Sequence, residues 1–134
     1  MASDDLIAFL NARLAEDEQA ARDADAISRD ALLDLYEDLI KSRPLDDARR
    51  AFGIHIARFT PGRMLVDVTA KRMILKEHRP ASDEYPGSAD RGCMGCGLNG
   101  DEEFATPDVD WCPVLCALAL PYAAHHEYRQ EWKP

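Results

Sequence analysis

No apolar run in the 134 residues approaches the ~20 needed to cross a bilayer. Asp4 and Asp5 stand where a secretory signal would carry basic residues. Membrane insertion and export by a standard signal are therefore not expected, and a cytoplasmic setting is. Bases are also in short supply: 16 Lys and Arg face 25 Asp and Glu, for a net charge of −9. That balance argues against general nucleic-acid binding, because phosphate neutralisation supplies most non-specific affinity. It speaks for protein or small-molecule partners, a protein being the favoured one. The chain has no glycine-rich phosphate loop, no serine-nucleophile motif, no internal repeat and no low-complexity tract. No catalytic residue can be named from a motif, and the balance leans away from an enzyme.

Hydrophobic residues make up 46% of the chain and charged residues 31%, the proportions of an ordinary globular protein. The length suits one domain, 1–134, with a single core. Charge is unevenly spread, and residues 51–80 carry two acids against six bases. The basic band of Arg49, Arg50, Arg58, Arg63, Lys71, Arg72, Lys76 and Arg79 is expected to face the acidic N-terminal helices, with local binding of a phosphate or duplex as the alternative.

Helical signals dominate. Ser3 is placed to cap a helix over 4–24, with Asp4 and Asp5 at the favoured end of its dipole and Leu6, Ile7, Leu10 and Leu14 as an apolar stripe. Ser28 opens a second helix over 29–42, with Leu32, Leu33, Leu35, Tyr36, Leu39 and Ile40 on its apolar face. Pro44, Asp46 and Asp47 lead into a third, whose Ala51, Phe52, Ile54, Ile56 and Phe59 are available to cover a core despite Gly53. Thr60 and Pro61 read as cap and first residue of a fourth helix ending near His78, with Met64, Leu65, Val68 and Leu75 along one face. Pro113 opens a short last helix through Leu120. The expected fold is mainly α, four to five helices with a zinc-stabilised irregular loop near the C-terminus.

That loop is where the cysteines lie. Residues 80–111 are rich in Gly, Pro, Ser and acids and poor in large apolar side chains, so something other than a hydrophobic core must order them. Cys93 and Cys96 form C-M-G-C, and Cys112 and Cys116 form C-P-V-L-C after fifteen intervening residues. Two thiolates two residues apart can turn back on one ion, and tetrahedral Zn2+ needs two further ligands. Cys112 supplies one. The fourth is either Cys116, about one helical turn on, or His78, at the end of the fourth helix. The metal-binding loop thus spans 78–116. Two disulfides, a redox dithiol and an iron–sulfur cluster are the less favoured uses of the four cysteines. Trp111 is expected to shield the site, and Tyr122, Tyr128 and Trp132 to pin the tail to the body. An open zinc position beside Asp101, Glu102, Glu103, His125 or His126 would make the protein a metal-dependent enzyme instead.

The segments D-L-I-A-F-L-N-A-R-L-A-E-D-E, H-I-A-R-F-T-P-G-R-M-L-V-D-V-T-A-K-R-M-I-L and C-P-V-L-C-A-L-A-L-P-Y-A-A-H-H-E-Y-R-Q-E-W cover roughly half the chain. Together they resemble an uncharacterised family of short actinobacterial and actinophage proteins. The resemblance implies a cytosolic setting and no mechanism. It also implies that His78 is the better fourth ligand, since similar chains often carry a base in place of Cys116 and commonly keep a histidine comparable to His78. The resulting expectation is a zinc-stabilised interaction or regulatory protein, able to form homo-oligomers, with the metal-dependent enzyme and a nucleic-acid-binding regulator using the band 49–79 as alternatives.

Overall fold

The computed structural model describes residues 5–27, 34, 37, 47–83 and 90–134. Among these residues the chain forms four α-helices and no β-strand: α1 (Asp5–Ala26), α2 (Asp47–Arg58), α3 (Pro61–Glu77) and α4 (Pro113–Ala119). Short 3-10 turns and two isolated bridges, Pro80 with Cys93 and Leu98 with Phe104, complete the regular structure. The mainly α class read from the sequence is the observed one. Of the helix expected over 29–42 only Asp34 and Glu37 are described, both helical and exposed; its other residues lie outside the described ones, as do its expected cap Ser28 and Ser3.

The residues divide into two compact units, Met1–Ala15 with Ala70–Pro134, and Glu16–Thr69. The first unit holds the cysteines and most of the buried side chains. Leu6, Phe9, Leu10 and Leu14 of α1 are buried at the expected helical spacing, as are Val109, Leu115, Ala119 and Trp132. Phe9 gathers the C-terminal tail: its ring centroid lies 5.1 Å from that of Trp132, 6.0 Å from Tyr128 and 6.3 Å from Tyr122. Arg129 adds an ion pair to Asp5 at 2.8 Å and lies over the Trp132 ring. The aromatic tail is thus pinned to α1 as the sequence suggested. Arg13, on the same helix face, donates to Glu127 at 2.9 Å.

In the second unit Thr60 caps α3. Its Oγ1 accepts from Arg63 N at 3.3 Å, its carbonyl accepts from Met64 N at 3.0 Å, and Pro61 is the first helical residue. Val68 is fully buried, while Ala20, Ala24, Phe59, Pro61 and Met64 line a shallow groove. The apolar residues of α2, with Phe59 just beyond its end, correct one expectation, for Phe52, Ile54, Ile56 and Phe59 are all exposed. Apolar positions at 51, 52, 54, 56 and 59 run round the helix instead of forming one stripe, so no single face carries them all. Of the basic band, Arg50, Arg58, Arg63, Arg72, Lys76 and Arg79 are exposed. Arg63 donates to the Arg58 carbonyl and lies over the Phe59 ring. No helix among the described residues is long and apolar enough to cross a membrane.

Candidate metal centre

The local chain path brings His78 to the cysteine knuckle. After α3 ends at Glu77, the His78 amide still donates to Ile74 at 2.9 Å, so the residue begins where the helix ends. The next residues then pair with the segment on either side of Cys93: Ala81 N donates to Gly92 O at 2.9 Å, and Met94 N to Arg79 O at 3.0 Å. Cys93 N in turn donates to Thr106 O at 3.0 Å, which fastens the far side of the loop. Met94–Cys96 makes one 3-10 turn, closed by Gly97 N donating to Met94 O at 3.2 Å. Gly97 has φ of 73°, in the left-handed region where a side chain is strained, so its glycine is required by the backbone. Gly95 is required by space. A Cβ there would lie 2.6–2.8 Å from atoms of the His78 ring.

On the other side, Val109–Trp111 forms a 3-10 turn capped by Asp108, whose Oδ1 accepts from Asp110 N at 2.9 Å. Its period of three turns Val109 and Cys112 inward, and both are fully buried. Trp111 falls between them and is 64% exposed, which overturns its expected role as a shield. Arg91 fixes the turn from outside. It grips Asp108 through two bonds, of 3.0 and 2.7 Å, and approaches Asp110 at 3.4 Å. Beside this guanidinium the Asp108 carboxyl is held below its ordinary range. Asp110 is raised by burial, partly offset by the Leu6 amide that donates to it at 3.2 Å.

These elements place four donors together. His78 Nδ1 lies 3.4 Å from Cys93 Sγ, 3.8 Å from Cys96 Sγ and 3.4 Å from Cys112 Sγ, and Cys96 Sγ lies 3.6 Å from Cys112 Sγ. With zinc–sulfur distances of about 2.3 Å and zinc–nitrogen distances of about 2.0 Å, a tetrahedron has donor–donor edges of roughly 3.5–3.8 Å. The observed spacing matches one ion of that size. An iron–sulfur cluster distributes its thiolates over several irons and requires them farther apart. All four cysteines are free thiols, so the disulfide alternative does not describe this structure. Burial pushes the Cys93 thiol up to about 12 and raises Cys112 as well. An ion would reverse this tendency, because a coordinating thiol gives up its proton.

Of the five residues named from the sequence, His78, Cys93, Cys96 and Cys112 form a group able to hold a metal, and Cys116 is outside it. Cys116 is buried on α4 with its Sγ 3.7 Å from the Asp110 carbonyl. Asp101, Glu102 and Glu103 are not members of the group and lie in an exposed turn organised by Asn99, whose side chain accepts from Asp101 N and Glu103 N. His125 and His126 stack on each other and form a second group with Glu127. That group already has its cation: Arg13 Nη1 lies 2.8 Å from both ring nitrogens of His125 and 2.9 Å from Glu127. The Arg91 grip and the Gly95 contact were not read from the sequence. The acidic D-V-D before W-C was their nearest signal, as a cap of the kind that opens helical turns.

Residues 3–134 match the model described as a family of unknown function, DUF6221. No curated protein and no solved structure matches the chain.

Proposed function

The chain belongs to the DUF6221 family of unknown function, and for this member we propose a small interaction or regulatory protein stabilised by one structural Zn2+ on His78, Cys93, Cys96 and Cys112. The observation that carries the reading is one imidazole nitrogen and three thiol sulfurs within 4.8 Å of one another, four of their separations falling at 3.4–3.8 Å, near the edge lengths of a tetrahedral zinc site. Four protein donors leave no open position for substrate or water, and structural zinc sites are closed in this way. A closed site ties the end of α3 to the start of α4 through a loop that has little hydrophobic core of its own. The part it plays is therefore architectural, and the interaction role is assigned to the surface it fixes. Trp111, Val114 and Leu120 lie exposed on and beside α4, and a large exposed aromatic next to a rigid metal loop suits a protein contact.

Elemental analysis of untagged protein is expected to return one zinc per chain. Cobalt substitution is expected to give a tetrahedral spectrum with thiolate charge transfer that added small anions leave unchanged. A folded, metal-free protein would refute the site, and a spectrum that shifts with azide or cyanide would reveal an open position and restore the enzymatic reading.

A further inference from the structure

We propose that the metal centre is a peroxide-responsive switch, in which Cys96 is the oxidant-accessible thiolate and Cys112 its resolving partner. This rests on the zinc reading above and adds regulation to it. Two observations select the pair. Cys93 and Cys112 are fully buried, whereas Cys96 keeps part of its surface open beside the exposed Gly95, so an oxidant small enough to approach the knuckle meets Cys96 first. The Cys96 and Cys112 sulfurs lie 3.6 Å apart, and a disulfide brings them to about 2.0 Å. Cys112 occupies the N-cap position of α4 and is followed by Pro113. Cys96 stands at the end of a three-residue turn, whose approach needs no helix to unwind.

In the first step the Cys96 thiolate attacks one oxygen of hydrogen peroxide. An S–O bond forms, the O–O bond breaks, and hydroxide leaves and is protonated to water. In the second step the Cys112 thiolate attacks the Cys96 sulfur. The S–S bond forms, the S–O bond breaks, and a second hydroxide leaves as water. The two sulfurs together lose two electrons and peroxide gains them. Two of the four donors become a neutral disulfide, and His78 and Cys93 alone hold the ion too weakly to retain it. Release also removes the tie between α3 and α4, which turns oxidation into a change of shape at the surface bearing Trp111.

The test treats zinc-loaded, full-length protein with graded hydrogen peroxide. Free zinc is followed with a chromogenic chelator, and disulfides are mapped by mass spectrometry. Met73, exposed at 66%, serves as the internal gauge of oxidant dose. The expected result is release of one zinc per chain at doses that leave Met73 unoxidised, with one Cys96–Cys112 disulfide, both reversed by a dithiol and added zinc. Cys116→Ser is expected to behave identically. Zinc retained while Met73 becomes sulfoxide, or release accompanied by a disulfide to Cys93 or Cys116, would overturn the proposal. Protein that carries no zinc before treatment would overturn the zinc reading itself, so the two failures are distinguishable.

Discussion

Gly95→Ala separates the geometry of the site from its list of ligands. Gly95 is outside the positive-φ region, so alanine meets no backbone penalty there, and it donates no ligand. The new Cβ would stand 2.6 Å from His78 Cγ, 2.7 Å from Nδ1 and 2.8 Å from Cδ2, where ordinary contact begins at 3.4 Å. The ring must therefore retreat by about 0.6–0.8 Å from the knuckle, several times the roughly 0.2 Å within which metal–ligand distances hold. A displaced but still present ligand has the character of lost outer-shell support, which weakens metal binding by about 10–100-fold, or ~1.4–2.8 kcal/mol. Competition against a chromogenic zinc chelator measures this directly, and the cobalt spectrum should move toward three-thiolate coordination. Gly100→Ala is the control, since a Cβ there meets nothing within 4 Å. Unchanged affinity and an unchanged cobalt spectrum in Gly95→Ala would show that His78 is not held against the knuckle, and would remove it from the site.

His78→Ala is expected to lose zinc in the same competition assay while Cys116→Ala keeps it at full stoichiometry, since the Cys116 sulfur faces the Asp110 carbonyl; the reverse result would exchange their roles. Leu14→Ala removes a fully buried side chain and should lower unfolding free energy by about 2–5 kcal/mol in urea titrations, and a loss below about 1 kcal/mol would contradict its place in the core. Asp108→Asn should cost about 1–2 kcal/mol at neutral pH. The folded Asp108 carboxyl titrates below its unfolded value near 3.8, so its contribution is present above that value and disappears as the pH falls through the folded one; a gap from wild type that persisted in strong acid would refute the ion pair as its cause.

The sequence revealed elements whose signal is local. Thr60 and Pro61 mark the start of α3 because a cap and its proline need only adjacent residues, and Leu6, Leu10 and Leu14 mark the buried face of α1 because one helix sets their spacing. The cysteine spacing identified three of the four grouped donors for the same reason. The choice between His78 and Cys116 was not local. Both lie within chain reach of Cys112, and what separates them is the Pro80–Cys93 pairing that turns His78 toward the sulfurs and the helical register that turns Cys116 away. Trp111 was misread because its role depends on the three-residue period of a turn visible only once Asp108 is seen to cap it. In α2, hydrophobic composition was legible and burial was not, because composition fixes what could be covered and only packing decides whether it is.

The buttress around Asp110 explains why a loop with so few apolar residues bears on the helical core at all. Asp110 accepts the amide of Leu6, one of the four α1 donors that the helix itself cannot satisfy, and so serves as a cap 104 residues away in sequence. Arg91 holds that carboxylate from the loop, and Cys112, two residues on, is drawn into the donor group. A cap is useful only when it is already in position, since ordering it costs about 1–2 kcal/mol per residue fixed. The donors that gather Cys93, Cys96 and Cys112 fix those residues, and the same order places Asp110 at the start of α1. Metal binding at the proposed site and the docking of Leu6, Phe9 and Leu10 would by this route be linked equilibria, each favouring the other by the same free energy.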